Sequence, residues 1–363
     1  MEIALTKRLA DQVKIKLDSK QEEMDPLFSW TANWTNVYDG STNDLLVLVN
    51  NATRFVATVY PFGQADFANF GDISINAIRK SLQSFNFSPA MIDKYMDLAG
   101  EAKFTQNHNR SAASWVSKAG LDCALHIGAG LEQGDHPSTE TLIRGVNHGP
   151  IRLRGNKEYS VPYEELAKAL SKLTHQQLYA YGAFELLITL DLEIYQVKRD
   201  LIVPASIDFF ALHRVIQSVF NWDSYHLYDF SIYGDYTLQP IHRLVPFEED
   251  LEFDATATLL KDQRLQEYLP KHKEILYTYD YGDNWEHRIQ LVKVYEEYDG
   301  QSPFLLRAEG KAPPEDVGGA PGFIRFLEAY HDPNHPEHEE LKEWAGLWSP
   351  ELWDWEKKPR IIW

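Results

Sequence analysis

The sequence predicts an α+β protein of two domains. Its 363 residues are enough for about two to three domains of typical size. Hydrophobic residues make up 44% of the chain and aromatic residues 13%, which supplies packed cores and argues against a disordered chain. Strand-like and helix-like segments lie on both sides of a stretch rich in Gly, Pro and Asn. We therefore predict an N-terminal α+β domain at 1–130, a linker and helical connector at 131–185, and a second domain with a tryptophan-rich C-terminal tail at 186–363.

The first domain combines a hairpin with helices. Segments 44–50 and 55–60 are apolar and flank a pair of asparagines, which predicts two strands joined by a turn. Apolar residues at helical spacing predict a helix at 74–85. Ser88 and Pro89 predict the start of another helix, because Ser caps a helix well and Pro suits its first position. Further predicted elements are a short helix at 6–17 and a strand at 29–34.

The pattern changes twice after residue 130. Gly, Pro and Asn interrupt residues 131–160, so we predict a linker or a loose hairpin there. Helices are then predicted at 161–173 and 176–184. The predicted strands of the second domain are 186–197, 201–204, 227–233, 275–281 and 285–295, and its predicted helices are 206–219, 262–269, 322–330 and 338–344.

The acidic residues are unevenly distributed, and this limits the classes of partner. The formal net charge is -19, and residues 191–363 hold 33 acidic against 17 basic side chains. A domain with this excess repels phosphate, so nucleic acid is an unfavourable partner and an anionic membrane is not expected to bind. A protein or a small molecule remains as the expected partner.

The cysteine content and the apolar runs point to the cytoplasm. Cys123 is the only cysteine, which excludes an intrachain disulfide and a cysteine-based zinc finger. The first residues lack the pattern of a signal peptide, and the apolar runs are of strand length. We therefore expect a cytoplasmic protein.

Several motifs follow one another in the second domain. They are Val203-Pro204-Ala205, Leu212-His213-Arg214-Val215-Ile216-Gln217, Trp222-Asp223, His226-Leu227-Tyr228-Asp229-Phe230, Tyr279-Asp280-Tyr281-Gly282-Asp283-Asn284-Trp285-Glu286-His287, Pro313-Pro314-Glu315-Asp316-Val317-Gly318-Gly319 and Asp332-Pro333-Asn334-His335-Pro336-Glu337-His338. In this order they span about residues 186–350. The second domain thereby resembles the plasmid pRiA4b ORF-3-like family.

The resemblance implies a fold but no reaction. It implies an α+β domain with a mostly antiparallel sheet and flanking helices, in a family whose biochemical activity is unassigned. Relatives usually carry a cysteine where this chain has Ala312, so thiolate chemistry is not expected here. Through Leu5-Thr6-Lys7-Arg8-Leu9-Ala10, Pro26-Leu27-Phe28-Ser29-Trp30 and Ser88-Pro89, the first domain resembles a small bacterial domain of unknown function.

Asp283 and His287 are the first candidates for catalysis. On an unbroken strand they would share one face, and a desolvated Asp beside a His can act as a general base or bind a metal. Alternatively, Gly282 and Asp283 form a tight turn, with Tyr281 and Trp285 paired across it and Asp283 capping it. In that case His287 has a structural role. Asp280, in the same motif, also lies beside Gly and aromatic residues and is a further acidic site candidate.

Glu315 and Asp316 are the second pair of catalytic candidates. They precede Gly318 and Gly319, as in an acidic catalytic loop. The glycines also have a simpler explanation, since they permit unusual backbone angles.

Four histidines are candidate metal ligands. His335 and His338 are three residues apart, and imidazole suits several transition metals, although the surrounding prolines also fit an ordinary entry into a helix. His213 lies on a predicted helix and His226 precedes a predicted strand. Each of these two could instead be a buried histidine with a structural partner.

Two functions agree with these residues. The first is a binding or regulatory module, because the sequence contains no nucleotide-binding, zinc-protease or nucleophile-elbow motif. The alternative is a metal-assisted hydrolase that uses an Asp/His/Glu cluster with a divalent metal. It requires Asp283, His287 and at least one further candidate to meet in one cleft.

Overall fold

A computed structural model shows two compact units, Met1–Ala180 and Tyr181–Trp363. It describes the chain except residues 14, 19–23, 38–43, 133–138, 154–157, 174–175, 194–195, 235–236, 253, 255, 273, 348–359 and 362–363. Within the described part, no helix has the length and apolarity needed to cross a membrane.

The N-terminal unit contains a five-stranded sheet. Its strands are β1 Glu2–Leu5, β2 Ser29–Thr35, β3 Asp44–Asn50, β4 Val56–Phe62 and β5 Lys103–Gln106. Their spatial order is β4-β3-β2-β1-β5, and β1 is parallel to both of its neighbours while the other pairs are antiparallel. The antiparallel pair β3–β4 confirms the predicted hairpin.

Six helices of the described residues accompany this sheet. They are α1 Lys7–Ala10, α2 Phe70–Ser84, α3 Pro89–Ala99, α4 Arg110–Glu132, α5 Thr139–His148 and α6 Pro162–Leu173. The predicted start of α3 is confirmed, because the Ser88 side chain accepts from the amide of Met91. α1 is shorter than predicted, and α5 lies in the stretch predicted as a linker. Buried Leu142 and Ile143 hold α5 in the core, while Gly149 and Pro150 only mark its end.

The C-terminal unit contains a nine-stranded, mostly antiparallel sheet. Its strands are β6 Tyr181–Asp191, β7 Gln196–Pro204, β8 Tyr228–Tyr233, β9 Pro240–Val245, β10 Ala257–Leu259, β11 Glu274–Tyr279, β12 Trp285–Tyr298, β13 Phe304–Glu309 and β14 Arg360–Ile361. The order is β10-β9-β8-β11-β12-β6-β7-β13-β14, and among the strands of the described residues only β9–β10 is a parallel pair. The helix predicted at 176–184 is wrong, because β6 begins at Tyr181. The helix predicted at 262–269 is also wrong, since only a 3₁₀ turn forms at Leu265–Glu267.

Three helices of the described residues flank this sheet. They are α7 Phe209–Phe220, α8 Gly319–His331 and α9 His338–Leu347. Asp208 caps α7 by accepting from the amide of Ala211 at 2.7 Å, and Asn221 ends α7 in the left-handed region. Trp344, the first tryptophan of the predicted tail, packs against Phe326. The later tryptophans Trp348, Trp353, Trp355 and Trp363 lie outside the described residues.

A buried arginine joins α7 to strands β7 and β13 of the sheet. Arg199 on β7 is 3% exposed, and its guanidinium donates to the carbonyls of Val219 at 2.7 Å and Glu309 at 2.8 Å. These carbonyls belong to the end of α7 and the end of β13. Arg199 therefore satisfies backbone acceptors of two elements with the fixed fork of one side chain.

We predict that Arg199→Lys destabilises the protein by about 3 kcal/mol, because an ammonium cannot reach both carbonyls and a buried acceptor then loses its donor. Urea denaturation followed by tryptophan fluorescence measures the change. The control is Arg288→Lys on β12, where the side chain is 60% exposed and 3.3 Å from Glu274. It should alter stability by less than about 1 kcal/mol. Equal effects of the two variants would contradict the role of Arg199.

Candidate functional site

Three connections of the C-terminal unit meet at one end of its sheet. They are residues 221–227 between α7 and β8, 280–284 between β11 and β12, and 310–318 between β13 and α8. The first two connections are neighbours because Tyr279, at the end of β11, pairs with Tyr228 on β8 and with Trp285 on β12. We call the three connections the loop site.

Glu315 attaches the third connection to the other two. Its side chain is 1% exposed and accepts from the hydroxyl of Tyr279 and, at 2.8 Å, from the amide of Asp223. Beside it, the indole of Trp222 donates to the carbonyl of Pro313 at 2.8 Å. Burial raises the pKa of Glu315, and the two hydrogen bonds oppose this rise. Glu315 therefore has a buried, positioning role, and its carboxylate is not presented to a ligand.

The connection between β11 and β12 is a turn, as in the second of the two predicted alternatives. Its closing pair is Tyr279 with Trp285, however, and not the predicted pair of Tyr281 with Trp285. The turn is also capped by a different aspartate from the one predicted. The Oδ1 atom of Asp280 accepts from the amide of Gly282 at 2.9 Å.

The backbone of this turn requires residues that tolerate positive φ. Asp280 has a φ of 56° and Asn284 a φ of 54°. Asp and Asn occupy this left-handed region more readily than most side chains do. The amide of Asp280 also donates to the carbonyl of Leu227 at 2.9 Å, which joins the turn to the α7–β8 connection.

One side chain from each connection contributes to a cluster of His226, Asp280 and Asp316. The Nε2 atom of His226 lies 3.2 Å from Oδ1 of Asp316 and 3.5 Å from Oδ2 of Asp280. Each residue offers one ligand atom, and these three atoms lie within 4.8 Å of one another. No other three His, Cys, Asp or Glu side chains of the described residues bring ligand atoms so close together. The Nε2 atom is itself buried and makes no hydrogen bond.

Neighbouring groups orient both carboxylates of the cluster. The hydroxyl of Tyr225 donates to Oδ2 of Asp316 at 2.7 Å, which leaves Oδ1 beside His226. In Asp280 the turn amide of Gly282 occupies Oδ1, which leaves Oδ2 beside His226. Asp316 has a φ of 59°, so its backbone also adopts the left-handed region. The cluster is therefore preorganised by contacts outside it.

The side chain of Asp283 joins the connection 280–284 to the connection 310–318. Its Oδ2 accepts from the amide of Gly318 at 3.1 Å. Gly319 has a φ of 68°, and a Cβ there would lie 2.9 Å from the carbonyl oxygen of Asp283. The two glycines therefore permit a close approach, in agreement with the simpler explanation considered for them.

His287 is a core histidine. It is fully buried, its ring packs edge-on against Phe220 and Trp222, and its Nδ1 lies 3.0 Å from the carbonyl of Trp285. Burial lowers the pKa of His287 to about 3, so the ring is neutral in the folded protein. Asp283 accepts a hydrogen bond from Gly318, whereas the ring of His287 contacts Trp285. The two residues of the predicted catalytic pair therefore have different partners.

His213 is also buried with structural partners. Its ring stacks on Tyr228 at a centroid distance of 3.7 Å. Its Nδ1 lies 2.8 Å from the hydroxyl of Tyr277, and its Nε2 lies 2.6 Å from the hydroxyl of Ser224. Burial lowers the pKa of His213 to about 3. Both ring nitrogens are thus engaged, which leaves His213 without an atom for a metal.

His335 and His338 form the entry to α9. The Nδ1 of His335 accepts from the amide of Glu337 at 3.2 Å, and the Nδ1 of His338 lies 2.9 Å from the carbonyl of Ala329. His338 is 6% exposed. These contacts match the ordinary helix entry that the prolines suggested. The cluster therefore contains three of the candidates drawn from the sequence, namely His226, Asp280 and Asp316.

The third member, Asp280, is one of the acidic site candidates drawn from the sequence, but it is not the residue predicted to cap the turn. It lies in the same motif as Asp283, directly after the strand that ends at Tyr279. Its place between that strand and a Gly282-centred turn is where an aspartate is expected to cap, and this signal could have identified its capping role.

We predict that His287→Phe reduces the acid sensitivity of the fold. His287 binds a proton in the unfolded chain near the ordinary histidine pKa of 6.5, but in the folded protein its pKa is only about 3. Unfolding therefore takes up a proton in this range, so stability falls as the pH falls from 6.5 towards 3. Phe cannot bind that proton, and it also removes the buried Nε2 that makes no hydrogen bond.

The measurement is urea denaturation at several pH values. The slope of stability against pH should be smaller in His287→Phe by up to about 1.4 kcal/mol per pH unit. His331→Phe, the same exchange at an exposed histidine, is the control. An unchanged slope in His287→Phe would show that His287 does not titrate as its burial requires.

Comparisons with known proteins cover both units. The plasmid pRiA4b ORF-3-like protein family matches residues 182–357, and a domain of unknown function, DUF6933, matches residues 2–165. The uncharacterized protein y4hQ of Sinorhizobium fredii is 37% identical over 161 residues, which are 44% of this chain and 78% of that protein. A crystal structure of a protein of unknown function from Methanosarcina mazei Go1 matches at 30% identity and a TM-score of 0.40, covering 45% of this chain and 89% of that one. All three connections of the loop site lie within the family match, and the chain belongs to the plasmid pRiA4b ORF-3-like family.

Proposed function

We propose that the C-terminal unit is a divalent-cation-binding module of a cytoplasmic protein, with His226, Asp280 and Asp316 as ligands. The observation that carries the proposal is the buried Nε2 of His226, which lies between two carboxylate oxygens without a hydrogen bond. Such an atom is costly unless a proton or a cation joins it to its neighbours.

The distances between the ligand atoms suit a metal ion. A tetrahedral ion with bonds of about 2.0–2.2 Å places its ligand atoms about 3.3–3.6 Å apart. The two distances from Nε2 of His226 are 3.2 and 3.5 Å. A cation at this position requires only small shifts of side chains that are already oriented.

The donor types narrow the choice of metal. One imidazole and two carboxylates suit Zn²⁺, Mn²⁺ or Fe²⁺ better than they suit Ca²⁺, which prefers six to eight oxygen ligands. The acidic side chains Asp223 and Glu315 lie in the same connections as His226 and Asp316, respectively, and add negative potential. The strong excess of acid in residues 191–363 has the same sign. The electrostatic field thus favours a cation over an anion.

Wild-type protein purified without a histidine tag should contain or bind about one Zn²⁺ or Mn²⁺ per chain, as measured by elemental analysis and calorimetric titration. His226→Ala and Asp316→Asn should each weaken binding by more than about 100-fold, because the first removes the imidazole ligand and the second removes the negative charge of a carboxylate ligand. Tyr225→Phe should weaken it by about tenfold, since Asp316 loses its orienting hydroxyl.

Two matched controls separate this site from general acidity. Asp283→Asn removes a charge from the same turn, and His335→Ala removes an imidazole from the same unit, and both should leave the affinity for Zn²⁺ and Mn²⁺ within about twofold. Circular dichroism verifies the fold of each variant. Absence of binding by the wild type, or equal losses in the controls, would overturn the proposal.

A metal-assisted hydrolase that uses His226, Asp280 and Asp316 in place of the predicted pair Asp283 and His287 is the second candidate, and one observation favours it. Three protein ligands leave a position for water on the ion, as in catalytic zinc sites, and the Asp316 side chain is 54% exposed. The metal-loaded wild type should then hydrolyse p-nitrophenyl esters, and His226→Ala should abolish this turnover while Asp283→Asn retains it. If the protein binds the metal but shows no metal-dependent turnover, esterase activity is excluded and the binding module remains as the proposed function.

A further inference from the structure

The N-terminal unit contains a groove that is independent of the loop site. It lies between the end of β2 and one face of α4 and has a volume of about 380 Å³. Small-molecule sites typically have volumes of about 300–1,000 Å³. Its walls include Arg8, Trp34, Asn36, Leu121 and Leu125.

Arg8 supplies a positive charge at one wall. Its guanidinium carbon lies 4.9 Å from the centroid of the Trp34 ring, which fixes the guanidinium over an aromatic face. Asn36 accepts a hydrogen bond from one terminal nitrogen of Arg8. A guanidinium has five N–H donors, so others remain for an anion. The carboxylate of Asp44, a residue only 8% exposed, accepts from the side-chain amide nitrogen of Asn36.

Leu121 and Leu125 supply an apolar wall one helical turn apart. They are 58% and 54% exposed, although both lie on α4 beside buried residues. Gly120 sets the distance of this wall from β2, because a Cβ at that position would collide with Oγ1 of Thr35. α4 is therefore held close to the strand, and the groove between them is a fixed feature of the fold.

We propose that this groove binds a small organic anion with an apolar body, such as an aromatic carboxylate. The apolar part would contact Leu121 and Leu125, and the anionic group would accept hydrogen bonds from Arg8. The volume suits a small molecule, and the charge distribution agrees. Residues 1–190 hold 18 basic and 21 acidic side chains, so this part of the chain lacks the acidity of residues 191–363.

Two fluorescent probes that differ in charge test the proposal on the full chain. 1-Anilinonaphthalene-8-sulfonate is an anion with an apolar body, and N-phenyl-1-naphthylamine is its uncharged counterpart. Arg8→Gln should weaken the sulfonate about tenfold and the neutral probe less than about twofold, because only the sulfonate pairs with the guanidinium. Leu121→Gln combined with Leu125→Gln should weaken both probes, and Arg8→Lys should preserve the preference for the anion.

The control is Leu98→Gln on α3, where an exposed leucine of the same unit lies outside the groove walls. It should leave both affinities unchanged. Benzoate should displace the sulfonate probe, and benzyl alcohol should do so at least about tenfold less effectively. The proposal fails if Arg8→Gln affects both probes equally, if the leucine variants match Leu98→Gln, or if the wild type binds neither probe. Circular dichroism confirms that each variant is folded.

Discussion

The loop site depends on one buried carboxylate. Glu315 accepts from the hydroxyl of Tyr279 at the end of β11 and from the amide of Asp223 after α7. It thereby joins three connections that are far apart along the chain. Burying a carboxylate is unfavourable unless hydrogen bonds compensate it, and this one has a donor on each oxygen.

The position of Asp316 follows from that of Glu315. Because Glu315 is fixed in the interior, the next residue has little choice of place, and its left-handed backbone directs it beside His226. The hydroxyl of Tyr225 then selects which oxygen of Asp316 faces the histidine. Two neighbouring residues of one motif thus have different roles: Glu315 anchors the chain, and Asp316 is presented to a ligand.

The sequence was informative where the structure depends on local signals. Ser88 with Pro89 marked the start of α3, and Gly282 marked the turn after β11, since caps and turns depend on neighbouring residues. Predictions failed where burial decided the outcome. The segment around Tyr181 is predicted as a helix, but its alternating burial is that of a strand. The segment of α5 is predicted as a linker because helix breakers flank it, but its buried residues stabilise a helix.

The site was predictable only in part, for a physical reason. His226, Asp280 and Asp316 are among the candidates, but so are His213, His287 and His338, and composition cannot distinguish them. Burial and hydrogen-bond partners decide that His213 and His287 belong to the core. The partner of His213 lies 64 residues away in the chain, which is beyond the reach of any local sequence pattern. The partner of His287 lies 2 residues away.

The cluster of His226, Asp280 and Asp316 has a consequence for the stability of the fold. Its members lie in three separate connections, so the three ligands are held together only in the native state. An ion bound there would act as a removable cross-link, and its binding free energy would be added to the free energy of unfolding. The concentration of a metal ion in the cell would then determine how firmly these connections of the chain are tied to one another.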